Sequence, residues 1–332
     1  MSYSFAIEGQ SAIAAARRAV GSVAMSAGLP EPSLGRVALV VTELATNLLK
    51  HAGTGQLIFG LFEDETGQGL EILSLDNGPG MTDVGACLAD GFSTAHSAGN
   101  GLGAVRRLSD QFDICSWPGR GTVVLARLLA KPVAGAAGRT ADYGALALPK
   151  AGEDVSGDAW AVGGPPGRRT LMLADGLGHG PEAAQAAVEA VRVFRSNESA
   201  PPEAILQRMH LALRCTRGAA ASVAALDPAL GVVSFAGIGN VAGAAVGHGA
   251  QRRMVSHNGT LGHNVRKVQA FDYPLSGSLV ILNSDGVSNS WSLDAYPGLS
   301  EAHPTLVAGV LLRDFARGRD DATVLVCRSR PE

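Results

Sequence analysis

The stretch DNGPGMTDVGACLADGFSTAHSAGNGLGAVRRLSDQFDICSWPGRGTVV, residues 76–124, decides the reading of the first half of the chain. It opens on Asp76-Asn77-Gly78-Pro79-Gly80, directly after the strand-like run Gly69–Leu75. Alone, such a run is an ordinary turn. Its residue types also suit a purine: Asp76 can accept a hydrogen bond from an adenine amino group, and Gly78 and Gly80 let the ring approach the backbone. Further on, Gly99-Asn100-Gly101-Leu102-Gly103 enters a helix. Glycines at a helix N-terminus form a nest of N–H donors for phosphate. The same residues satisfy the loose dinucleotide pattern as Gly99-x-Gly101-x-x-Ala104. That reading fails, because a polar loop precedes them instead of a strand and no acidic residue follows about 20 residues on.

Upstream, residues 10–28 are Ala-rich and amphipathic, Pro30-Glu31-Pro32-Ser33 breaks the pattern, and Ser33 is placed to cap the next helix. Val37, Val40, Val41, Leu44, Leu48 and Leu49 recur at helical spacing in that helix. Glu43 and Asn47, four apart, share one of its faces, with His51 the next step along the stripe. Such a stripe is commonly just the solvated side of a helix. Its chemical reading makes Asn47 a Mg²⁺ ligand through its amide oxygen and Glu43 the base that activates an attacking hydroxyl. Strand patterns at 56–62, 69–75, 112–117 and 122–128, with a short helix near 102–109, complete an α+β layer.

Each element is weak alone, but their order and spacing are specific. E-x-x-x-N on a helix, D-x-G-x-G after a strand and G-x-G-x-G at a helix start resemble the Bergerat ATP-binding fold of the GHKL superfamily. Residues 76–124 resemble its RsbT-type switch kinases in particular, over about residues 10–128. The resemblance implies ATP held by Asp76, Gly78, Gly80, Gly99, Gly101, Gly103 and Thr122, with Asn47 on Mg²⁺ and Glu43 as catalytic base. Relatives in that group phosphorylate Ser or Thr of small STAS-domain regulators, and sibling anti-sigma factors sequester a sigma factor. No phosphorylatable His box precedes the domain, which argues against a histidine kinase.

Residues 130–141 are small, Gly- and Pro-containing and without period, the composition of a linker. Beyond them, apolar runs at 170–174, 220–226, 231–236, 278–283 and 322–327 alternate with Ala-rich helical patterns at 181–196, 202–214 and 304–316. Carboxylates recur at the ends of these runs: Asp158 after Ser156-Gly157, Asp175 before Gly176, Asp285 before Gly286, and Asp320-Asp321 before the last strand. An Asp-Gly after a strand is commonly a turn. Four such sites in one Cys-poor domain point instead to Mg²⁺ or Mn²⁺ held by hard oxygen ligands, with a water poised for attack on phosphorus.

The order G-E-x-x-S-G-D, A-D-G-L-G-H-G, S-D-G-V, D-D-A-T-V-L-V resembles the SpoIIE/RsbX branch of the protein phosphatase 2C-like, metal-dependent phosphatases, across roughly 140–328. It implies Asp158, Asp175, Asp285 and Asp320 as ligands of two ions, Gly176 contributing a carbonyl, Asp175 bridging, and Asp321 one step further out. His179 is either an acid near the leaving oxygen or a loop residue fixed by its glycines. His257 and His263 read as loop residues. The eukaryotic members carry an acidic residue just before the first Asp and a basic phosphate-binding side chain upstream. Here Gly157 stands at the first position and no upstream Arg is assignable.

The whole chain bounds these readings. Its 332 residues suit two domains, and 46% hydrophobic content gives each a core. A net charge of −3 without clustered basic residues argues against nucleic acid. No apolar run approaches the ~20 residues of a membrane helix, and the start lacks a signal-peptide pattern. Cys87, Cys115, Cys215 and Cys327 form no CxxC pair and read as reduced thiols. The expectation is a cytoplasmic α+β protein of two domains. A Bergerat ATP-binding α/β sandwich (1–129) and a linker (130–141) precede a protein phosphatase 2C-like αββα sandwich (142–332). Its implied partners are STAS-domain regulators, with a sigma or anti-sigma factor as a further possibility. The competing functional readings are an anti-sigma factor, and a nucleotide sensor that regulates the attached phosphatase without transferring phosphate.

Overall fold

The computed structural model describes residues 2–88, 101–134, 142–247, 250–275 and 279–329. It divides into two compact units: Met1–Ala141 with Glu301–Arg313, and Asp142–Ser300 with Asp314–Glu332.

The first unit runs β1 (Ser2–Ile7), α1 (Gln10–Ser26), α2 (Glu31–Asn47), β2 (Gly55–Asp64), β3 (Gly67–Leu75), α3 (Val84–Leu88), α4 (Gly101–Leu108), β4 (Gln111–Ser116) and β5 (Thr122–Pro132). The strands form one antiparallel sheet in the order β1-β2-β3-β5-β4. Helix α1 buries Ala16, Val20 and Ala24, and α2 buries Val37, Val40, Val41 and Leu44. They close over Leu57, Phe59, Leu70, Ile72, Val124 and Leu128 of the sheet. The result is two layers, helices on one sheet face. The expected Ser33 cap does not form. Helix α2 begins three residues earlier, after Pro30, and Ser33 Oγ instead accepts from Arg36 Nη2 at 3.0 Å. Pro32 fits there because the first turn of a helix leaves its N–H groups unpaired anyway. After Asn47 the helix widens into one π-helical turn, Leu48–Ala52.

Inside this unit Arg127 on β5 is almost wholly buried. Its Nη1 lies 2.7 Å from Asp64 Oδ2 and its Nε donates to Glu71 Oε2 at 2.7 Å. Thr305, in the 301–313 segment of the same unit, donates to the same Glu71 oxygen at 3.0 Å. One buried cation thus answers two buried carboxylates, so deleting it strands both.

The second unit contains β6 (Tyr143–Leu148), β7 (Asp158–Gly163), β8 (Arg169–Gly176), α5 (Pro181–Arg195), α6 (Pro202–Ala212), β9 (Ala219–Asp227), β10 (Val232–Ile238), β11 (Ala242–Gly247) and β12 (Ala250–Met254). The short strands β13 (Gly259–Thr260), β14 (Asn264–Val265) and β15 (Phe271–Pro274) follow, then β16 (Leu279–Asn283) and, past α7 (Pro304–Phe315), β17 (Ala322–Arg328). Most of α7 is counted with the first unit. Two five-stranded sheets, β15-β10-β9-β8-β7 and β12-β11-β16-β17-β6, share a core of Leu171, Leu173, Phe235, Val280, Leu282 and Leu325. Helices α5 and α6 cover the first sheet through Ala186, Ala190, Phe194, Leu206 and Met209. The α+β class and the stacking of sheets follow the expectation.

Replacing Arg127 with Leu is expected to lower unfolding free energy by about 3–5 kcal/mol, the scale of an orphaned buried charge. Urea denaturation of the full chain measures it. Replacing Arg127, Asp64 and Glu71 together by apolar residues of similar size should recover most of the loss.

Candidate functional site

At the first site, Asp76 ends β3 with its carboxylate turned back onto the chain. Oδ1 accepts from Gly78 N at 2.8 Å and from Thr122 N at 3.2 Å, while Asp76 N donates to Thr122 O at 3.0 Å. The glycines here are spatial requirements. A Cβ on Gly121 would lie 2.0 Å from Asp76 O, and one on Gly80 2.0 Å from Trp117 O, with φ of +76° and +69°. Burial pushes the Asp76 carboxyl up; the amides of Gly78 and Thr122, then Arg313 and His51, pull the other way. Arg313, within this unit, donates to Asp76 O at 2.8 Å.

Gly101, the first residue of α4, faces the other half of the expected set. A Cβ there would stand 3.0 Å from Glu43 Oε2 and 3.4 Å from Asn47 Oδ1. Glu43 and Asn47 therefore meet the α4 N-terminus, with Gly103 buried two residues on. The π-helical turn follows directly on Asn47, so His51 does not simply continue the α-helical stripe. Gly99 lies outside the described residues. Sequence reasoning missed Ser116: its hydroxyl sits 2.8 Å from Thr122 Oγ1 and accepts from Met81 N at 2.8 Å, tying the start of the 81–100 segment to β4.

The second site lies in the second unit. Strands β7 and β8 pair in register with Asp158 directly opposite Asp175. Asp175, Asp285 and Asp320 line a cavity of about 420 Å³, together with Leu177, Gly178, Asn240 and Asn258–Thr260. Both Asp158 oxygens are buried without a hydrogen-bond partner. Burial pushes Asp158 up. The hydroxyls of Ser284 and Thr323 stand near enough to ease its ionisation without reaching full hydrogen-bond geometry, while Asp321 and Asp285 raise it again. Asp175 is raised by burial and then by Asp158, Asp285, Asp320 and Asp321. Asp285 is raised by burial and Asp320, and eased by Asn240 and Arg317.

Mutually repelling carboxylates with orphaned buried oxygens suit hard divalent cations. Among the described residues, however, no three His, Cys, Asp or Glu side chains converge tightly enough to hold an ion as they stand. Gly176 closes the Asp158–Asp175 end of the sheet; a Cβ on it would lie 2.1 Å from Ala183 O, which is why α5 can pack so near. Asp321 bonds backbone instead, accepting from Lys150 N at 2.8 Å and Gly157 N at 2.9 Å.

His179 Nδ1 lies 2.6 Å from Glu153 Oε1 in an exposed pair. His257 tilts against Phe271, and His263 Nε2 is 2.9 Å from Arg217 O; the residues between them, Asn258–Thr260, line the cavity instead. Asn240, which donates to Asp285 Oδ2, was missed. It sits in the β10–β11 turn Gly239-Asn240, where nothing distinguishes it from any turn asparagine.

The first unit sets an aspartate at a strand end against close-packed glycines, and the second gathers aspartates from several strand ends around one cavity. Residues 9–128 match the histidine kinase-like ATPase domain, and residues 165–330 match stage II sporulation protein E (SpoIIE). The second match spans half of the chain, and the chain belongs to the SpoIIE family. Over 114 residues the chain is 38% identical to the serine/threonine-protein kinase RsbT of Bacillus subtilis (strain 168), an alignment covering 34% of this chain and 86% of RsbT. Among solved structures, one described as "The bacterial stressosome: a modular system that has been adapted to control secondary messenger signaling" superposes with a TM-score of 0.53. It is 28% identical, over 56% of this chain and 98% of that one. RsbX in complex with magnesium superposes at 0.47, with 21% identity, over 56% and 94% of the respective chains. Among the described residues no helix is long and apolar enough to cross a membrane.

The raised carboxyls fix the sign of one pH dependence. The folded chain keeps protons on Asp158 and Asp175 that the unfolded chain releases from about pH 4 upward, so metal-free stability falls as pH rises from there. In EDTA, the urea midpoint should drop between pH 5 and pH 8 more steeply for the wild type than for Asp175→Asn. Parallel curves would show that the repulsion is absent.

Proposed function

We propose that this chain is a cytoplasmic, bifunctional serine/threonine protein kinase and phosphatase that sets the phosphorylation state of a STAS-domain regulator in a bacterial partner-switching pathway. One observation carries the reading: a domain 38% identical to the serine/threonine-protein kinase RsbT shares a chain with a SpoIIE domain, and each keeps the residue types its chemistry requires. We assign the kinase domain to residues 1–129, the linker to 130–141 and the phosphatase domain to 142–332.

In the kinase half, Asp76 orients the adenine, and Gly78, Gly80 and Thr122 shape its pocket. Gly99, Gly101 and Gly103 present backbone N–H groups to the phosphates, and Asn47 offers its amide oxygen to Mg²⁺. Glu43 takes the proton of the attacking Ser or Thr hydroxyl as its oxygen bonds to the γ-phosphorus and ADP leaves. In the phosphatase half, Asp158, Asp175, Asp285, Asp320 and the Gly176 carbonyl would hold two Mn²⁺ or Mg²⁺ ions. When bound, such ions supply Lewis-acid charge and a water acidic enough to attack phosphorus. Asp321 keeps the Gly157 loop in place, and Asn240 steers Asp285. The relationship to RsbT makes a STAS-domain protein the natural substrate, with a sigma or anti-sigma factor further down the same pathway.

Full-length protein, γ-labelled ATP, Mg²⁺ and a purified STAS-domain protein make the test. Label should enter the STAS protein and fail to enter with Glu43→Ala. Subsequent Mn²⁺ should release it as inorganic phosphate from wild-type reactions and leave it in place with Asp175→Asn. A wild type that never transfers label overturns the kinase half and turns the first domain into a sequestering or sensing module. Release undiminished by Asp175→Asn removes that residue from the phosphatase mechanism.

A further inference from the structure

Three carboxylates line the cavity of the second unit, and among its described lining residues none is Lys or Arg. A phosphorylated side chain arrives as a dianion, so a cationic side chain must stand at the rim unless the ions carry the whole charge. Arg217 stands there. A side chain on cavity-lining Gly178 would begin 3.2 Å from Arg217 Nη1, so the guanidinium lies against the Gly178 backbone.

The loop carrying Arg217 is bolted between two loops that line the cavity. Leu177 N donates to Gly218 O at 3.0 Å on one side. On the other, His263 Nε2 lies 2.9 Å from Arg217 O, while Ala219 and Leu261 exchange backbone hydrogen bonds of 3.2 and 2.9 Å. Gly218 has φ +79° and room for no side chain, since a Cβ would lie 2.5 Å from Leu261 O. The backbone is fixed, but the guanidinium is not. Its partner is Glu182 in the first turn of α5, and both side chains are about half exposed or more, at 49% and 65%. Such a pair is weak and exchangeable.

We propose that Arg217 is the phosphate-binding side chain of the phosphatase site: it leaves Glu182 for the phosphoryl oxygens of the incoming phosphoserine or phosphothreonine. This rests on the phosphatase reading above. A planar guanidinium can grip two phosphoryl oxygens at once, which a lysine cannot. Arg317 lies near enough to Asp285 to ease its ionisation.

The test uses the full chain with Mn²⁺, p-nitrophenyl phosphate and the phosphorylated STAS protein as substrates, and inorganic phosphate as a calorimetric ligand. Arg217→Ala should raise KM about 10-fold or more while kcat changes far less, the loss expected for a charge-assisted hydrogen-bond pair. Phosphate affinity should weaken by a similar factor and Mn²⁺ affinity should stay put. Arg217→Lys should recover only part of the loss, and Glu182→Ala, which frees the guanidinium, should lower KM. Wild-type KM and phosphate affinity in Arg217→Ala would overturn the assignment, as would a drop confined to Mn²⁺ binding. A wild type that hydrolyses neither substrate, but binds phosphate in a way that needs Arg217, would sink the phosphatase reading and leave the anion site standing.

Discussion

A half-buried carboxylate at a strand end, beside a glycine with no room for a side chain, is the constraint on which both sites are built. At Asp76 the tight neighbour is Gly121, at Asp175 it is Gly176, and at Asp285 it is Gly286, where a Cβ would lie 1.9 Å from Asp321 O. In each place backbone closes on backbone at less than the distance any side chain tolerates. Burying an ionisable group this way costs stability unless donors or cations answer it.

The two sites answer the cost differently, and the difference is their chemistry. Asp76 is met by protein: two backbone amides take Oδ1, and Arg313 and His51 contribute charge. Those donors offset part of the rise that burial gives its carboxyl. Asp158 and Asp175 are met mostly by other carboxylates, and the Asp158 oxygens find no donor. The cluster is a deficit of positive charge built into the fold. Arg127 shows that the same chain can neutralise buried carboxylates with its own cation, as it does for Asp64 and Glu71. Leaving the aspartates unanswered is thus a property of that site, not a general tolerance of buried charge.

Much of this was legible in the residues. Wherever β-branched and leucine-rich runs sat between glycines, as in 69–75, 170–174 and 279–283, the strands fall within a residue or two of expectation. The Ala-rich helices at 181–195 and 304–315 behaved likewise, because burial period and propensity agree there. Strands β1, β6 and β7 were not seen, nor were β11 and β12. AGAAVG and AQRRM carry almost no β-preference, and sheet neighbours alone hold them in place. The helix start at Glu31 was missed because Ser33 outweighed the better fit of Pro32 to a first turn. The aspartates stood out by repetition at strand ends. Asn240, Ser116 and Arg217 did not, since each takes its meaning from a neighbour distant in sequence.

That last group marks where sequence patterns stop being informative about sites. Motif glycines and aspartates are legible because the backbone demands them at fixed offsets from a strand. Side chains that only reach into a site, such as Asn240 toward Asp285 or Arg217 over Gly178, can come from any loop of suitable length. No arginine before Asp158 is assignable as a phosphate clamp, whereas the guanidinium proposed for that role comes from the loop before β9, held by Leu177 on one side and His263 on the other. Strand register fixes where the aspartates stand, whereas the reach of a side chain decides what a loop residue such as Asn240 or Arg217 meets.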